Sequence, residues 1–239
     1  MDKISSGITG FDELTDGGFN KSTVTVLGGT PGTGKTIFGL QFLVNGAKKG
    51  EKGIYIALEE RIEDVHEFTE SFGWDLISLA KDDMITLHQY KISSLEEKMS
   101  LAQYKKAEPP TTKDIFYALK QELDSNKYAR AVIDSVSLLK LAGDSEKETR
   151  AELASLLRYL KLKKLTVVLI AERLSNGDNY DFEDFLADSV IQLRDYPSNE
   201  ERKRGITVLK MRGSKIDRTT RPYFITDKGI TVYPTEHLL

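Results

Sequence analysis

Apolar and polar positions recur along this chain with two periods that replace one another from segment to segment. Residues 22–28, "STVTVLG", are β-branched and alternate with period two, which predicts a strand. Directly after it Ile37, Leu40, Gln41 and Val44 fall at helical spacing, and Gly46 or Gly50 offers the stop. "GIYIALEE" (53–60) reads as a second strand, "IEDVHEFTESFG" (62–73) as the next helix and "MITLHQY" (84–90) as a short third strand. "DIFYALKQELD" is helical, and "ARAVIDS" (129–135) is a strand of the buried type. Leu153, Leu156, Leu157 and Leu160 make one stripe at i, i+3, i+4 and i+7, the core face of an amphipathic helix. "LTVVLIAER" (165–173) is another buried strand. From Asp188 onward "DSVIQLR", "GITVLKMR", "RPYFIT" and "GITVYP" follow one another over short turns, which predicts an antiparallel arrangement. Alternating β and α with a late meander predicts an α/β fold: a mainly parallel, doubly wound sheet with a C-terminal antiparallel β meander.

Residues 91–112 break this rhythm. They are polar and irregular, and Pro109-Pro110 bars a helix there, so a surface insertion is expected. No Pro/Gly/Ser linker and no repeat divides the chain. Its 239 residues are therefore read as one domain, 1–239, large enough for a substantial core. A net charge of −3 gives no global basic footprint for nucleic acid and no polybasic membrane patch. The absence of cysteine excludes disulfides and thiolate metal sites and suits a cytoplasmic protein. "MDKISSGITG" lacks an apolar signal core, and the longest apolar run, "LTVVLIA", is too short to span a bilayer. His66, His88 and His237 are scattered and read as surface or core residues rather than metal ligands.

The glycine-rich stretch "GGTPGTGKT", residues 28–36, sits between the first strand and the first long helix. Gly29-x-x-x-x-Gly34-Lys35-Thr36 fits the phosphate-binding pattern G-x-x-x-x-G-K-[ST]. Backbone N–H groups can wrap an anion only where side chains stay out of the way, and a helix N-terminus adds positive potential. Thr30, Pro31, Gly32, Thr33, Gly34, Lys35, Thr36 and Ile37 are the expected nucleotide-binding segment. Lys35 is expected to face solvent until phosphates arrive, and the Thr36 hydroxyl to hold Mg²⁺. The competing reading, an ordinary glycine-rich turn, is weakened by the strand–loop–helix context.

Three further groups follow. "AVID" ends a buried strand at Asp134, the form of a Mg²⁺-holding carboxylate, although many strands end in Asp at a turn. Glu59 and Glu60 end the second strand, and ligands of open α/β sheets sit at the carboxyl ends of strands. One of them can take a proton from the attacking water. The other reading is a pair of acids at the next helix's N-terminus. Because strand residues alternate faces, one of the two is expected to face the water; position alone does not say which. Lys210 and Arg212 are two apart and share a face, with Cα atoms about 6.6 Å apart. On pattern alone they read as a charged edge strand.

In chain order, "ISSGITGFDELTDGGF", "GGTPGTGKTIF", "IYIALEE", "ESFGWDL", "VIDSVS", "KMRGS" and "ITDKGITVYP" resemble the KaiC-like ATPases of the RecA superfamily. The resemblance runs from about Ile4 to Pro234 and is most like the single-domain archaeal members; "IAERL" is similar to the first domain of two-domain members. It implies a RecA-type P-loop NTPase core and a homo-oligomeric, hexameric ring with ATP at each subunit interface. Glu59 and Glu60 then match catalytic carboxylates, and Lys210 and Arg212 match cations that reach the γ-phosphate in the neighbouring subunit. Ser71, Arg204, Ile225 and Asp227 match positions near the base and ribose. Two-domain members carry a Ser-Thr phosphorylation pair where this chain has Asp184 and Phe185, so autokinase activity is not expected.

The reading that results is a slow ATPase acting as a switch for an unknown protein partner, with ATP and Mg²⁺ as cofactors. The alternatives are a RecA paralogue of recombination or repair, and an assembly module that ATP merely stabilises. The loop Leu174–Ala187, which faces DNA in recombinases, carries Asp178, Asp181, Glu183 and Asp184 and no Lys or Arg. That argues against nucleic acid in a pore, because phosphate contacts need cations.

Overall fold

A computed structural model describes residues 1–90, 111–125, 127–141, 145–174, 180–198 and 201–238. The predicted insertion at 91–112 lies outside the described residues, apart from Thr111 and Thr112. Thr112 already belongs to the next helix.

The chain opens with β1 (Lys3–Ile4), α1 (Phe11–Leu14) and β2 (Phe19–Asn20), which the hydrophobic pattern does not announce because each is so short. β1 and β2 pair as a small antiparallel ribbon. Then come β3 (Val24–Gly29), α2 (Lys35–Ala47), β4 (Gly53–Ala57), α3 (Ile62–Glu70), α4 (Leu76–Lys81) and β5 (Ile85–Gln89). The middle of the chain gives α5 (Thr112–Ser125), β6 (Arg130–Asp134), α6 (Ser137–Leu141), α7 (Glu146–Leu162) and β7 (Thr166–Glu172). α8 (Phe182–Leu186), β8 (Ser189–Ser198), β9 (Glu201–Met211), β10 (Arg221–Thr226) and β11 (Gly229–Val232) complete it. α2 ends at Ala47, and Gly50 in a left-handed conformation (φ 77°) closes the turn behind it.

Among the described residues one sheet has the strand order β11-β10-β9-β8-β3-β7-β6-β4-β5. β8 through β5 in that order are parallel, and β9, β10 and β11 each run antiparallel to their neighbour. β8 corrects the expectation from sequence: it closes the parallel set beside β3 and only then begins the meander. Strand alternation fills two cores. Leu27, Tyr55, Val132 and Ile170 face the α2 side together with Phe11, Phe19, Phe38 and Phe42. Val26, Ile54, Ile133 and Leu169 face α5 and the leucine stripe of α7. Because β3, β4, β6 and β7 are parallel and nearly in register, Gly29, Ala57, Asp134 and Glu172 all end at one edge of the sheet. That edge is the crevice where open α/β sheets take ligands.

Candidate nucleotide site

A cavity of about 480 Å³ opens at this edge, with the glycine-rich loop as its floor. The loop leaves β3 at Gly29 and enters α2 at Lys35. Gly32 and Gly34 hold φ of 81° and 87°, a region that side-chain-bearing residues rarely adopt. Apart from its own chain neighbours, nothing lies within 4 Å of where a Cβ on Gly32 would stand, so the bare backbone faces open space. The N-terminus of α2, a helix of 13 residues, ends in this cradle. Pro31, Gly32, Gly34, Lys35, Thr36 and Ile37 line the cavity. Thr30 and Thr33 instead shape the loop from within. The Thr33 hydroxyl donates to the Thr30 carbonyl at 2.8 Å, and the Thr33 carbonyl accepts from the Tyr223 hydroxyl at 2.5 Å.

Lys35 does not face solvent as expected. Its side chain folds back so that Nζ donates to the Thr30 carbonyl at 3.1 Å, and the residue is only 8% exposed. Burial lowers its pKa, while Glu172, Asp134, Glu60 and Glu59 favour the charged form. A cation held among carboxylates beside an open anion cradle fits polyphosphate.

Asp134, at the end of β6, is buried. Its Oδ2 accepts the Thr36 hydroxyl at 2.7 Å and the Tyr55 hydroxyl at 3.0 Å. Burial raises its pKa, and these two hydrogen bonds act in the opposite sense. Thr36 and Asp134 form an oxygen pair of the kind Mg²⁺ takes beside a nucleotide, so the residues fit that cofactor.

Glu59 and Glu60 both line the cavity. Strand alternation does not separate them because β4 ends at Ala57 and the chain bends after Leu58. Ser135 donates to Glu59 Oε1 at 2.8 Å. Burial, then the neighbouring Asp134 and Glu59, raise the pKa of Glu60.

Ser71 and Ile225 line the same cavity. Arg204 and Asp227 do not. Arg204 lies on β9 with Nε 3.8 Å from Asp195, and Asp227 sits in the β10–β11 turn. The cavity also takes Glu172, and with it Phe68, Phe72 and Ser135, which the sequence reading had not placed there. Phe68, in the last turn of α3, and Phe72, in the turn just past its end, are four apart, a spacing that a search for aromatic walls could have noticed.

Lys210 and Arg212 share a face, as predicted, but not the cavity. Lys210 Nζ donates to the carbonyls of Asp184 (2.9 Å), Phe185 (3.4 Å) and Ala187 (2.6 Å), and Arg212 to that of Phe185 (3.4 Å). Register explains the separation. Lys210 pairs with Val190, which pairs with Val26, and the Arg212 amide bonds the Asp188 carbonyl at the start of β8. Both cations therefore sit toward the amino ends of the parallel strands, away from Gly29.

The acidic loop also differs from expectation. Asp178 lies outside the described residues. Glu183 and Asp184 are buried in α8, and their partner is Arg173, the residue after β7. Arg173 pairs with Asp181, with Glu183 at 2.9 Å and with Asp184 at 2.5 Å, and Lys140 adds a bond to Glu183 at 2.7 Å. These acids are internal counter-charges rather than a solvated pore lining. Phe185, beside them, is exposed.

With the site's geometry in view, comparison with known proteins gives a consistent result. The family model "ATPase: KaiC" matches residues 4–237. A UPF0273 protein from Thermotoga maritima is 32% identical over 98% of this chain and 97% of its own length. A circadian clock protein from Synechocystis is 31% identical over 99% of this chain, which spans only 41% of that relative's length. A solved KaiC-like protein from Pyrococcus horikoshii superposes with a TM-score of 0.82 at 32% identity, covering 98% of this chain and 99% of its own. Among the described residues no helix is long and apolar enough to cross a membrane. The chain thus belongs to the KaiC-like ATPase family and has its RecA-type P-loop fold.

Proposed function

We propose that this single-domain protein binds ATP with Mg²⁺ in the cavity above β3 and hydrolyses it slowly to ADP and phosphate. Hydrolysis serves a nucleotide-driven switch read by a protein partner, in the cytoplasm. The observation that carries this reading is the convergence of the bare Gly32 backbone, Lys35, the Thr36–Asp134 pair and two glutamates on one cavity. Two carboxylates beside the phosphate cradle argue against a module that only stores ATP.

The loop amides and Lys35 hold the phosphates, and Thr36 and Asp134 hold Mg²⁺. When bound, Mg²⁺ supplies neutralisation of charge on the phosphate oxygens. Phe68, Phe72 and Ile225 offer an apolar wall for the base, and Ser71 a hydroxyl nearby. Glu59 is the general base. Ser135 fixes one of its carboxylate oxygens, which leaves the other to accept the proton of the attacking water, and for a base geometry comes before pKa. Glu60 contributes negative charge beside it. Lys210 and Arg212 serve the ATP of a neighbouring subunit in a homo-oligomeric ring of six. Arg212 is the more available of the two, because Lys210 is already held by three carbonyls.

Replacing Glu59 and Glu60 together with Gln tests the reading. A fluorescent ATP analogue should bind with parent affinity while phosphate release falls about 10²- to 10⁴-fold, the range of general-base catalysis. Phosphate release at the parent rate would overturn it.

A further inference from the structure

Tyr55 lies in the middle of β4 among apolar neighbours and is fully buried. Its hydroxyl has one hydrogen-bond partner among the described residues, Asp134 Oδ2 at 3.0 Å. The contact is diagonal: Tyr55 pairs in register with Val132, and Asp134 lies two residues further along β6 on the same face. An aromatic side chain reaches such a diagonal neighbour across a sheet. A buried phenol hydroxyl without a partner is costly, and so is a buried carboxylate without donors, so each group secures the other. Thr36 donates to the same oxygen, Oδ2, and no hydrogen bond to Oδ1 occurs among the described residues.

We propose that Tyr55 is a positioning residue for the Mg²⁺ site: its hydroxyl anchors Oδ2 of Asp134 so that Oδ1 stays available to the cation or its water. This rests on the assignment of Asp134 to Mg²⁺. Thr36 cannot do this work alone, because its hydroxyl is itself a proposed Mg²⁺ ligand and its orientation is tied to the cation. Tyr55 is held by the sheet whether or not the cation is present. Groups that hold a metal ligand from behind are typically worth ten- to a hundredfold in metal affinity.

The test compares parent, Tyr55→Phe and Asp134→Asn, with Mn²⁺ as the probe. Mn²⁺ binding to each protein loaded with a non-hydrolysable ATP analogue is followed by electron paramagnetic resonance, and analogue affinity is measured separately in a metal chelator. Phenylalanine fills the same volume, so Tyr55→Phe should keep the fold and its chelator-measured nucleotide affinity. Its Mn²⁺ affinity should fall about tenfold. In turnover its loss should appear at limiting Mg²⁺ and fade at excess, a change in the metal requirement rather than in kcat. Parent-like Mn²⁺ affinity in Tyr55→Phe, with weak binding in Asp134→Asn, would overturn the role of Tyr55 and leave that of Asp134 intact. Parent-like binding in Asp134→Asn would overturn both. Should Tyr55→Phe fail to fold, fluorotyrosine placed at position 55 gives the readout. Its ¹⁹F resonance must move when Mg²⁺ joins the analogue complex, and an unmoved resonance overturns the proposal.

Discussion

Glu60 shares the cavity with Glu59, Asp134 and Glu172, and the crowding marks its chemistry. Burial and then the charges of Asp134 and Glu59 raise its pKa above the ordinary 4.5, with Lys35 pulling the other way. A raised carboxyl pKa means that the negative form is lost early as pH falls. If the Glu60 charge supports catalysis, its protonation contributes to the acid limb of kcat, and Glu60→Gln moves that limb to lower pH. Steady-state phosphate release between pH 4 and 8 measures this, and a limb unchanged in Glu60→Gln would count against the role. Glu59→Gln should instead lower kcat at all pH values. At this scale the sequence was informative where chemistry fixes both residue type and spacing. The phosphate loop demands glycines, Lys35 and Thr36 at set intervals, and Asp134 announces itself as an acid ending an apolar strand. Tyr55 does not, because a tyrosine inside "GIYIALEE" reads as core and its partner is 79 residues away. The burial of Lys35 was equally hidden, since it depends on where one loop carbonyl points.

Between β7 and β8 the chain gathers a charged cluster that is internal to the fold. Arg173 lies over Gly28, where a Cβ would come within 2.7 Å of its Nε, and its amide bonds the Gly29 carbonyl at 3.0 Å. Its guanidinium takes Asp181, Glu183 and Asp184 from α8, whose final turn and exit supply the carbonyls that hold Lys210 and Arg212. One arginine thus fastens a five-residue helix to the strand that carries the phosphate loop. Arg173→Met keeps the apolar stem and removes the charge that pairs with the buried Glu183 and Asp184. Stranding buried charge in this way costs about 3–5 kcal/mol. Urea unfolding followed by far-UV circular dichroism should show a loss of that size, and a loss under about 1 kcal/mol would mean that the acids are neutralised by other means. The long elements were legible because their periodicity is local: the leucine stripe of α7 and the alternation of β6 and β7 need no outside information. α8 was not legible. Five residues are too few to show a period, and buried acids look like solvent-facing ones until the distant cation is known. β8 was misread for a related reason, since pairing partners, and so parallel or antiparallel sense, are not written in a strand's own residues.

At the scale of the whole molecule, sheet topology separates two sets of residues that the proposed chemistry needs together. The Arg212 amide bonds the Asp188 carbonyl, and the Asp188 amide bonds the Val24 carbonyl, so Arg212 is level with the start of β3. The phosphate loop begins past Gly29, five residues on, which is about 16 Å along the strand. A side chain at the amino end of the parallel strands does not serve the cradle at their carboxyl end in the same chain. If Arg212 contributes to hydrolysis at all, it does so in a neighbour's site, and each active site is built from two chains. An arginine on the transferred phosphate is worth about a thousandfold or more in rate. Arg212→Ala should therefore bind ATP and be nearly inactive, as should the Glu59→Gln/Glu60→Gln double variant. Mixing the two defective proteins under conditions of subunit exchange, followed by native mass spectrometry, decides between the arrangements. In a mixed ring some interfaces join an intact Glu59 and Glu60 to an intact Arg212 from the next chain, so phosphate release should return, rising to a maximum set by the mixing ratio. Were Arg212 to act within its own chain, every site would keep one defect, and mixed rings of confirmed composition would stay inactive. That result would leave Lys210 and Arg212 with the role their present contacts describe, cations that hold the end of α8 against β9.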